Sequence, residues 1–199
     1  MEINSVGVIG CGLMGAGISQ VTAAAGYRVV VREVNNELLK KGLKNIETFL
    51  AGSVSRGKLD EARRADILSR IHGATNLEDV AECDLIIEAI SESMELKQET
   101  FQALDAVAKP AAFLASNTSM LCIIDLAMAT KRPEKVLGLH FFYPVPLMRL
   151  VEVIRSLATS DETFTAVFEF ATSLGKEPIE TVDKNGFIVN RLLGPYLMD

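Results

Sequence analysis

His140 and Glu152 are the pair of side chains in this sequence best placed to move a proton. His140 follows the apolar run 136–139, Glu152 lies inside a second apolar run at 150–154, and Pro144 and Pro146 keep the first strand from running on through a sheet. A strand, a forced turn and a returning strand bring an imidazole and a carboxylate into hydrogen-bond reach, the arrangement that makes histidine a general base. A histidine in an apolar strand is also met as a satisfied core residue, and on these residues alone both readings stay open.

A second constellation gives such a base something to work beside. Gly10-Cys11-Gly12-Leu13-Met14-Gly15 follows the β-prone run 3–9. It opens a helical pattern (Leu13, Met14, Ile18, Val21, Thr22, Ala25) that closes at Gly26. The run 27–31 is a second strand, with Glu33 at its end. Strand, glycine turn, helix, strand and acid form the dinucleotide fingerprint in its full context. Gly10 permits the turn, Gly12 removes a side chain where a pyrophosphate must approach, and Gly15 lets the helix lie close to the sheet. Glu33 is suited to the adenosine ribose hydroxyls and repels a 2′-phosphate, so NAD is expected rather than NADP. Arg32 is the neighbour that works against that preference.

Those residues need a frame, and the rest of the chain supplies one. Residues 36–70 are helical and charged, with breaks expected at Gly52 and Gly57, and 53–58 reads as a solvated basic loop. His72, beside Gly73, reads as a surface or loop histidine. Then come a strand at 84–90, a helix at 94–108 and a strand at 111–115 that delivers Ser116-Asn117-Thr118-Ser119. A helix at 123–129 precedes the strand that reaches His140. A helix at 161–174 and a strand at 179–182 follow. Alternation of this kind predicts an α/β fold, a Rossmann-like, doubly wound and mainly parallel sheet, which binds ligands beyond the carboxyl ends of its strands. Gly10, Glu33, Glu92, Ser119 and His140 all fall at such ends.

The last stretch, with Phe187, Ile188, Leu192, Leu193, Tyr196 and Leu197 at helical spacing, is apolar enough to need a partner surface. It could dock on its own domain, pair with another subunit, or open a further domain. The third reading is favoured here, with a boundary between 1–184 and 185–199.

Composition narrows the class. A chain of 199 residues with a formal charge of −6 does not carry the basic footprint of a nucleic-acid binder or of a protein drawn to anionic membranes. Cys11, Cys83 and Cys122 suit neither a disulfide framework nor a metal site, and their apolar settings favour buried thiols. With no basic signal region and no apolar run of the ~18 residues a membrane span needs, a cytoplasmic protein is expected.

At this point the residues resemble a known family. VIGCGLMGAGI, DLIIEAISESMELK, ASNTSM, GLHFFYPVPLMRLVEVI and GFIVNRLLGPYL stand in the order and spacing of the 3-hydroxyacyl-CoA dehydrogenases, most like the bacterial 3-hydroxybutyryl-CoA group. The resemblance implies that His140 is the catalytic base with Glu152 as its partner. It implies that Ser119 touches both nicotinamide and substrate, and that Asn190 holds the reacting end of the thioester. Glu92 and Lys97 match positions at the nicotinamide half of the cofactor, and Arg56 and Lys58 fall where the family meets coenzyme A phosphates. Gly52 stands where bacterial relatives often have lysine. Tyr143 replaces a usual asparagine beside the nicotinamide, and Asn185 a common proline before Gly186. The implied reaction is NAD-dependent interconversion of 3-hydroxyacyl-CoA and 3-ketoacyl-CoA. The implied partners are an acyl-CoA substrate and, in the full-length protein, a second copy joined through an all-helical C-terminal domain whose first helix is 185–199. Two alternatives stand beside it: a dehydrogenase of another 3-hydroxy acid or carnitine-like substrate, and a non-catalytic NAD-binding homologue.

Overall fold

The computed structural model describes residues 2–198. Eight strands form one sheet: β1 (Ser5–Ile9), β2 (Arg28–Arg32), β3 (Ile71–Ala74), β4 (Leu85–Glu88), β5 (Phe113–Ser116), β6 (Val136–Phe141), β7 (Leu150–Arg155) and β8 (Glu177–Val182). Their order is β3-β2-β1-β4-β5-β6-β7-β8. Every neighbouring pair is parallel except β6 and β7. The fold is therefore the doubly wound sheet expected from the alternation. The one reversal sits where Pro144 and Pro146 stop β6 and send the chain straight back.

Seven helices cover the faces: α1 (Leu13–Ala24), α2 (Asn36–Ser55), α3 (Glu61–Ser69), α4 (Met94–Val107), α5 (Ile123–Ala127), α6 (Asp161–Ser173) and α7 (Val189–Met198). The central strands β4, β5 and β6 are buried along their whole length, as strands covered on both faces must be. One core cluster holds Val8, Val31, Ile87, Leu139 and Val153; the other holds Ile86, Leu114, Phe101, Leu104 and Ile154.

The helix starts differ in a way that matters for function. Asn35, Asp60, Ser93 and Ser160 cap α2, α3, α4 and α6 with their own side chains. Asp183 does so for α5 from a distance, taking the N–H groups of Ile123 and Ile124 at 2.8 and 2.7 Å. Helix α1 begins at Gly12 and has no side-chain cap, which leaves a positive helix end open to an anion.

One local expectation is corrected and one is made more exact. Gly52 does not break the helix, because α2 runs on to Ser55 and the stop comes at Gly57, whose φ of +68° suits glycine. Ser53, Val54 and Ser55 are therefore helical, and only the residues from Arg56 onward belong to the loop. His72 is exposed as expected, but it lies on β3 rather than in a loop, paired with Val30. A strand of four residues holding a histidine and a glycine carries little β signal of its own, and its pairing with β2 supplies the order.

Candidate active site

Strand register builds the proton-handling pair. His140 and Glu152 are direct partners across β6 and β7, and Nδ1 of His140 lies 2.6 Å from Oε2 of Glu152. Both are buried, at 6% and 0% exposure. The carboxylate accepts, so Nδ1 carries the proton and Nε2 keeps its lone pair as the free basic nitrogen. Phe142 and Phe187 fence the imidazole, with ring centroids 4.4 and 5.8 Å away. The other oxygen, Oε1, accepts the N–H groups of Ile188 and Val189 at 2.9 and 3.0 Å, where α7 begins. One carboxylate thus orients the histidine and holds the helix that carries Asn190.

His140 opens into a cavity of about 310 Å³ lined also by Met14, Glu92, Asn117, Ser119, Tyr143 and Asn190. Glu92, Asn117, Ser119 and Asn190 are each held by hydrogen bonds. Oε1 of Glu92 accepts from the Thr118 hydroxyl at 2.6 Å and from the Ser119 N–H at 2.9 Å and hydroxyl at 3.2 Å. Burial alone would raise the Glu92 pKa, but these hydrogen bonds and the Lys97 ammonium outweigh it and hold the carboxyl below its ordinary range. The Asn190 amide donates to the Ser119 carbonyl at 3.0 Å, and Asn117 fixes the end of β6 by accepting the Phe141 N–H.

Lys97 sits behind this wall. Its ammonium is buried, 2.6 Å from Glu88 Oε1 and 3.4 Å from Glu92. Glu88 also accepts from the Ser116 hydroxyl and the Ile90 N–H. Sequence reasoning missed Glu88; a carboxylate inside the apolar stretch DLIIEAI was the available signal, since a buried charge needs a partner.

The dinucleotide loop lies on the same rim. Gly10 has φ +97°, and a Cβ there would come 2.7 Å from the Ala89 carbonyl oxygen; at Gly15 a Cβ would come 1.8 Å from the Gly10 carbonyl oxygen. Both glycines are required by the protein itself. At Gly12 a Cβ would meet nothing within 4 Å, so that glycine keeps open a space the protein leaves free. Together with the uncapped start of α1, this fits a pyrophosphate. Glu33 accepts the Cys11 and Val34 N–H groups at 2.8 and 2.7 Å, which pins its carboxylate at the end of β2. Arg32 is turned aside to the Thr75 carbonyl. Burial, with the Glu33 charge alongside, pushes the Cys11 thiol up to about 12, so the sulfur stays a protonated thiol at neutral pH. Leu13 is exposed beside it.

Arg56 and Lys58 are not brought to the dyad. They line a separate cavity of about 600 Å³, together with Arg149 and Lys176, two cations that sequence reasoning did not single out. Between this cavity and the dyad lies a third, about 350 Å³ and mostly apolar, bounded by α1, α2 and the chain between β6 and β7. Tyr143 borders both the dyad cavity and the middle one. The middle and cationic cavities share Gln20, Phe49, Pro146 and Leu147, so the three follow one another from His140 to the cations.

With this geometry in view, comparison with known proteins is decisive. The sequence matches the family described as 3-hydroxyacyl-CoA dehydrogenase, NAD binding domain, over residues 5–184. The chain belongs to the 3-hydroxyacyl-CoA dehydrogenase family. It is an NAD-dependent oxidoreductase domain. A 3-hydroxybutyryl-CoA dehydrogenase from Bradyrhizobium diazoefficiens is 48% identical over 195 residues, covering 98% of this chain and 67% of that protein. The crystal structure of (S)-3-hydroxybutyryl-CoA dehydrogenase from Ralstonia eutropha superposes with a TM-score of 0.97 at 40% identity, over 98% of this chain and 69% of that one. A diketoreductase, described for its catalysis of dicarbonyl compounds, superposes with a TM-score of 0.94 at 32% identity, over 99% of this chain and 71% of that one. Among the described residues of this 3-hydroxyacyl-CoA dehydrogenase domain, no helix is long and apolar enough to cross a membrane, and no group of three ligating side chains could hold a metal ion.

Proposed function

We propose that the protein interconverts a 3-hydroxyacyl-CoA, 3-hydroxybutyryl-CoA above all, and the matching 3-ketoacyl-CoA. What supports this reading is a succession of three neighbouring cavities, with a buried histidine–carboxylate pair at one end and four cations at the other. The basic end suits the phosphates of coenzyme A, the apolar middle its pantetheine arm, and the dyad the carbon that reacts.

In this reading Gly10, Cys11, Gly12, Leu13, Met14, Gly15 and Glu33 hold the dinucleotide. Glu92, with Lys97 behind it, and Tyr143 border the nicotinamide. Bound NAD supplies the hydride acceptor or donor. His140 takes the proton of the C3 hydroxyl on Nε2 in oxidation and returns it in reduction. Glu152 keeps Nδ1 protonated and stabilises the imidazolium that forms. Ser119 and Asn190, linked to one another, flank the thioester carbonyl, and Arg56 and Lys58 receive phosphates. In this reading residues 185–199 open a helical domain through which the longer protein pairs as a homodimer. The greater length of the relatives and the exposed Leu192, Leu193, Tyr196 and Leu197 of α7 support that. Three unpaired cysteines suit a cytoplasmic setting.

The test is NADH oxidation with acetoacetyl-CoA against free acetoacetate, in the presence and absence of excess coenzyme A. Selective use of the thioester, inhibited by coenzyme A, is the expected result; equal use of both compounds, insensitive to coenzyme A, overturns it. The diketoreductase likeness favours a second reading, reduction of a dicarbonyl compound without coenzyme A. That reading predicts the second outcome, and it leaves the four cations of the larger cavity without a purpose.

A further inference from the structure

Gln20 lies at the join between the middle cavity and the cationic one and lines both. It stands on the face of α1 that carries Leu13, Ala16 and Gly17, and it is only 7% exposed. Among the described residues its side-chain amide has no hydrogen-bond partner. That amide is not among the enclosed polar atoms left without a partner, so the little that this nearly buried residue exposes includes its amide, whose two donor and two acceptor sites are free for a ligand in the cavities it lines. Ile46, Phe49, Val145 and Pro146 stand in the same lining, whose other polar side chains are Asn45, Thr48 and Tyr143.

The wall opposite Gln20 is rigidly made. A Cβ on Gly17 would come 2.8 Å from Val145 Cβ, so α1 and the loop after β6 are in direct contact. Lys176 pins that loop from below, donating to the carbonyls of Val145 and Met148 at 2.5 and 2.8 Å. Beyond Gln20 come Arg56, Lys58, Arg149 and Lys176, with no carboxylate among the lining residues, although Arg149 also pairs with Glu177 outside it. From His140 outward the order is proton acceptor, apolar passage, one amide, then positive charge. The arm of coenzyme A runs from thioester through an ethylene, an amide, a second ethylene and a second amide to a hydroxylated dimethyl segment and the phosphates, so its second amide falls between the reacting end and the charge.

We propose that Gln20 is a specificity-determining residue that hydrogen-bonds the amide of the pantetheine arm nearer the phosphates. This rests on the acyl-CoA reading given above. Its consequence is that the protein recognises the arm as well as the two ends of its substrate, and so separates coenzyme A and pantetheine thioesters from shorter ones.

Calorimetric binding in the presence of NAD tests it, using the acetoacetyl thioesters of coenzyme A, pantetheine and N-acetylcysteamine. The last keeps only the amide next to sulfur. Gln20→Met preserves length and helix preference while removing every polar atom. Losing this hydrogen bond should weaken the coenzyme A and pantetheine esters about 3- to 10-fold, with the N-acetylcysteamine ester unchanged. Equal weakening of all three, or of none, overturns the proposal. Gln20→Glu, which keeps an acceptor but places a charge beside the phosphates, should weaken the coenzyme A ester more than the pantetheine ester. It carries the comparison if the methionine variant fails to fold. The wild-type protein alone checks the underlying reading: acetoacetyl-CoA bound no more tightly than acetoacetate removes that reading, and this proposal with it, before any variant is made.

Discussion

A one-atom exchange at Glu152 separates tautomer control from simple packing. In Glu152→Gln the amide oxygen can still accept the N–H groups of Ile188 and Val189, while the amide nitrogen faces Nδ1 and forces the proton onto Nε2. The basic lone pair then points away from the cavity, so kcat should fall by about 10²–10⁴-fold with little change in NADH affinity. His140→Gln should do the same. Steady-state rates beside NADH titration check both, and near-normal turnover in the histidine variant would remove His140 from the mechanism. The dyad was legible in the sequence because two apolar runs and two prolines leave it few other arrangements. Glu88 and Gln20 were not legible in this way. Glu88 sits at the end of a strand where a rim carboxylate would also stand, and Gln20 occupies a helix position where a polar residue usually faces water. Only the packing of neighbouring elements shows that both are buried.

At the scale of elements, the glycine turn divides into positions the fold needs and one that the ligand needs. Gly15→Ala would place a methyl carbon on the Gly10 carbonyl oxygen, and should cost about 1–3 kcal/mol or more through forced backbone movement. Gly12→Ala meets no protein atom, so its melting temperature should stay near that of the wild type while NADH affinity falls at least tenfold. A paired thermal melt and NADH titration distinguishes them; unchanged NADH affinity in Gly12→Ala would show that the space above Gly12 is not used. The fingerprint itself was plain in the sequence. Which of its glycines answers to the protein and which to the ligand became visible only from the contacts. Helix α2 shows the opposite limit: Gly52 looked like a break but is carried through, because the preceding turns are held by the burial of Leu39, Ile46 and Leu50 against the core and only one further turn follows the glycine.

For the whole molecule, catalysis and stability are anchored on opposite rims of the sheet. Below the strands, Asp84 accepts the N–H groups of Asn4 and Ser5 and the Lys109 ammonium, joining the feet of β1 and β4 to the end of α4. Burial by itself would raise the Asp84 pKa; the Lys109 ammonium and the Asn4 and Ser5 donors outweigh it and bring the value down to about 2. A carboxyl depressed in the folded state stabilises above its ordinary pKa, and loses that contribution as pH falls from about 4 through about 2. Asp84→Asn should therefore melt lower than the wild type at pH 7, by an amount corresponding to about 1–3 kcal/mol, with kcat unchanged. The gap between the two melting curves should close on acidification through that window. A gap that persists at pH 2 would contradict the assignment. Sheet order and the shared rim followed from the alternation of strands and helices. The staple at the opposite rim did not, because Asp84 and Asn4 are 80 positions apart and have no sequence pattern in common.

Every strand after β1 lies beside one that precedes it in the chain. On a ribosome each new strand therefore finds its template already made, and the cofactor half, β1 to β4, can be assembled before His140 has been translated. The last partners to arrive are the backbone groups of Ile188 and Val189, which complete Glu152. The order of synthesis thus withholds the finished histidine–carboxylate pair until the rest of the sheet stands, long after the glycine turn and Glu33 have their places.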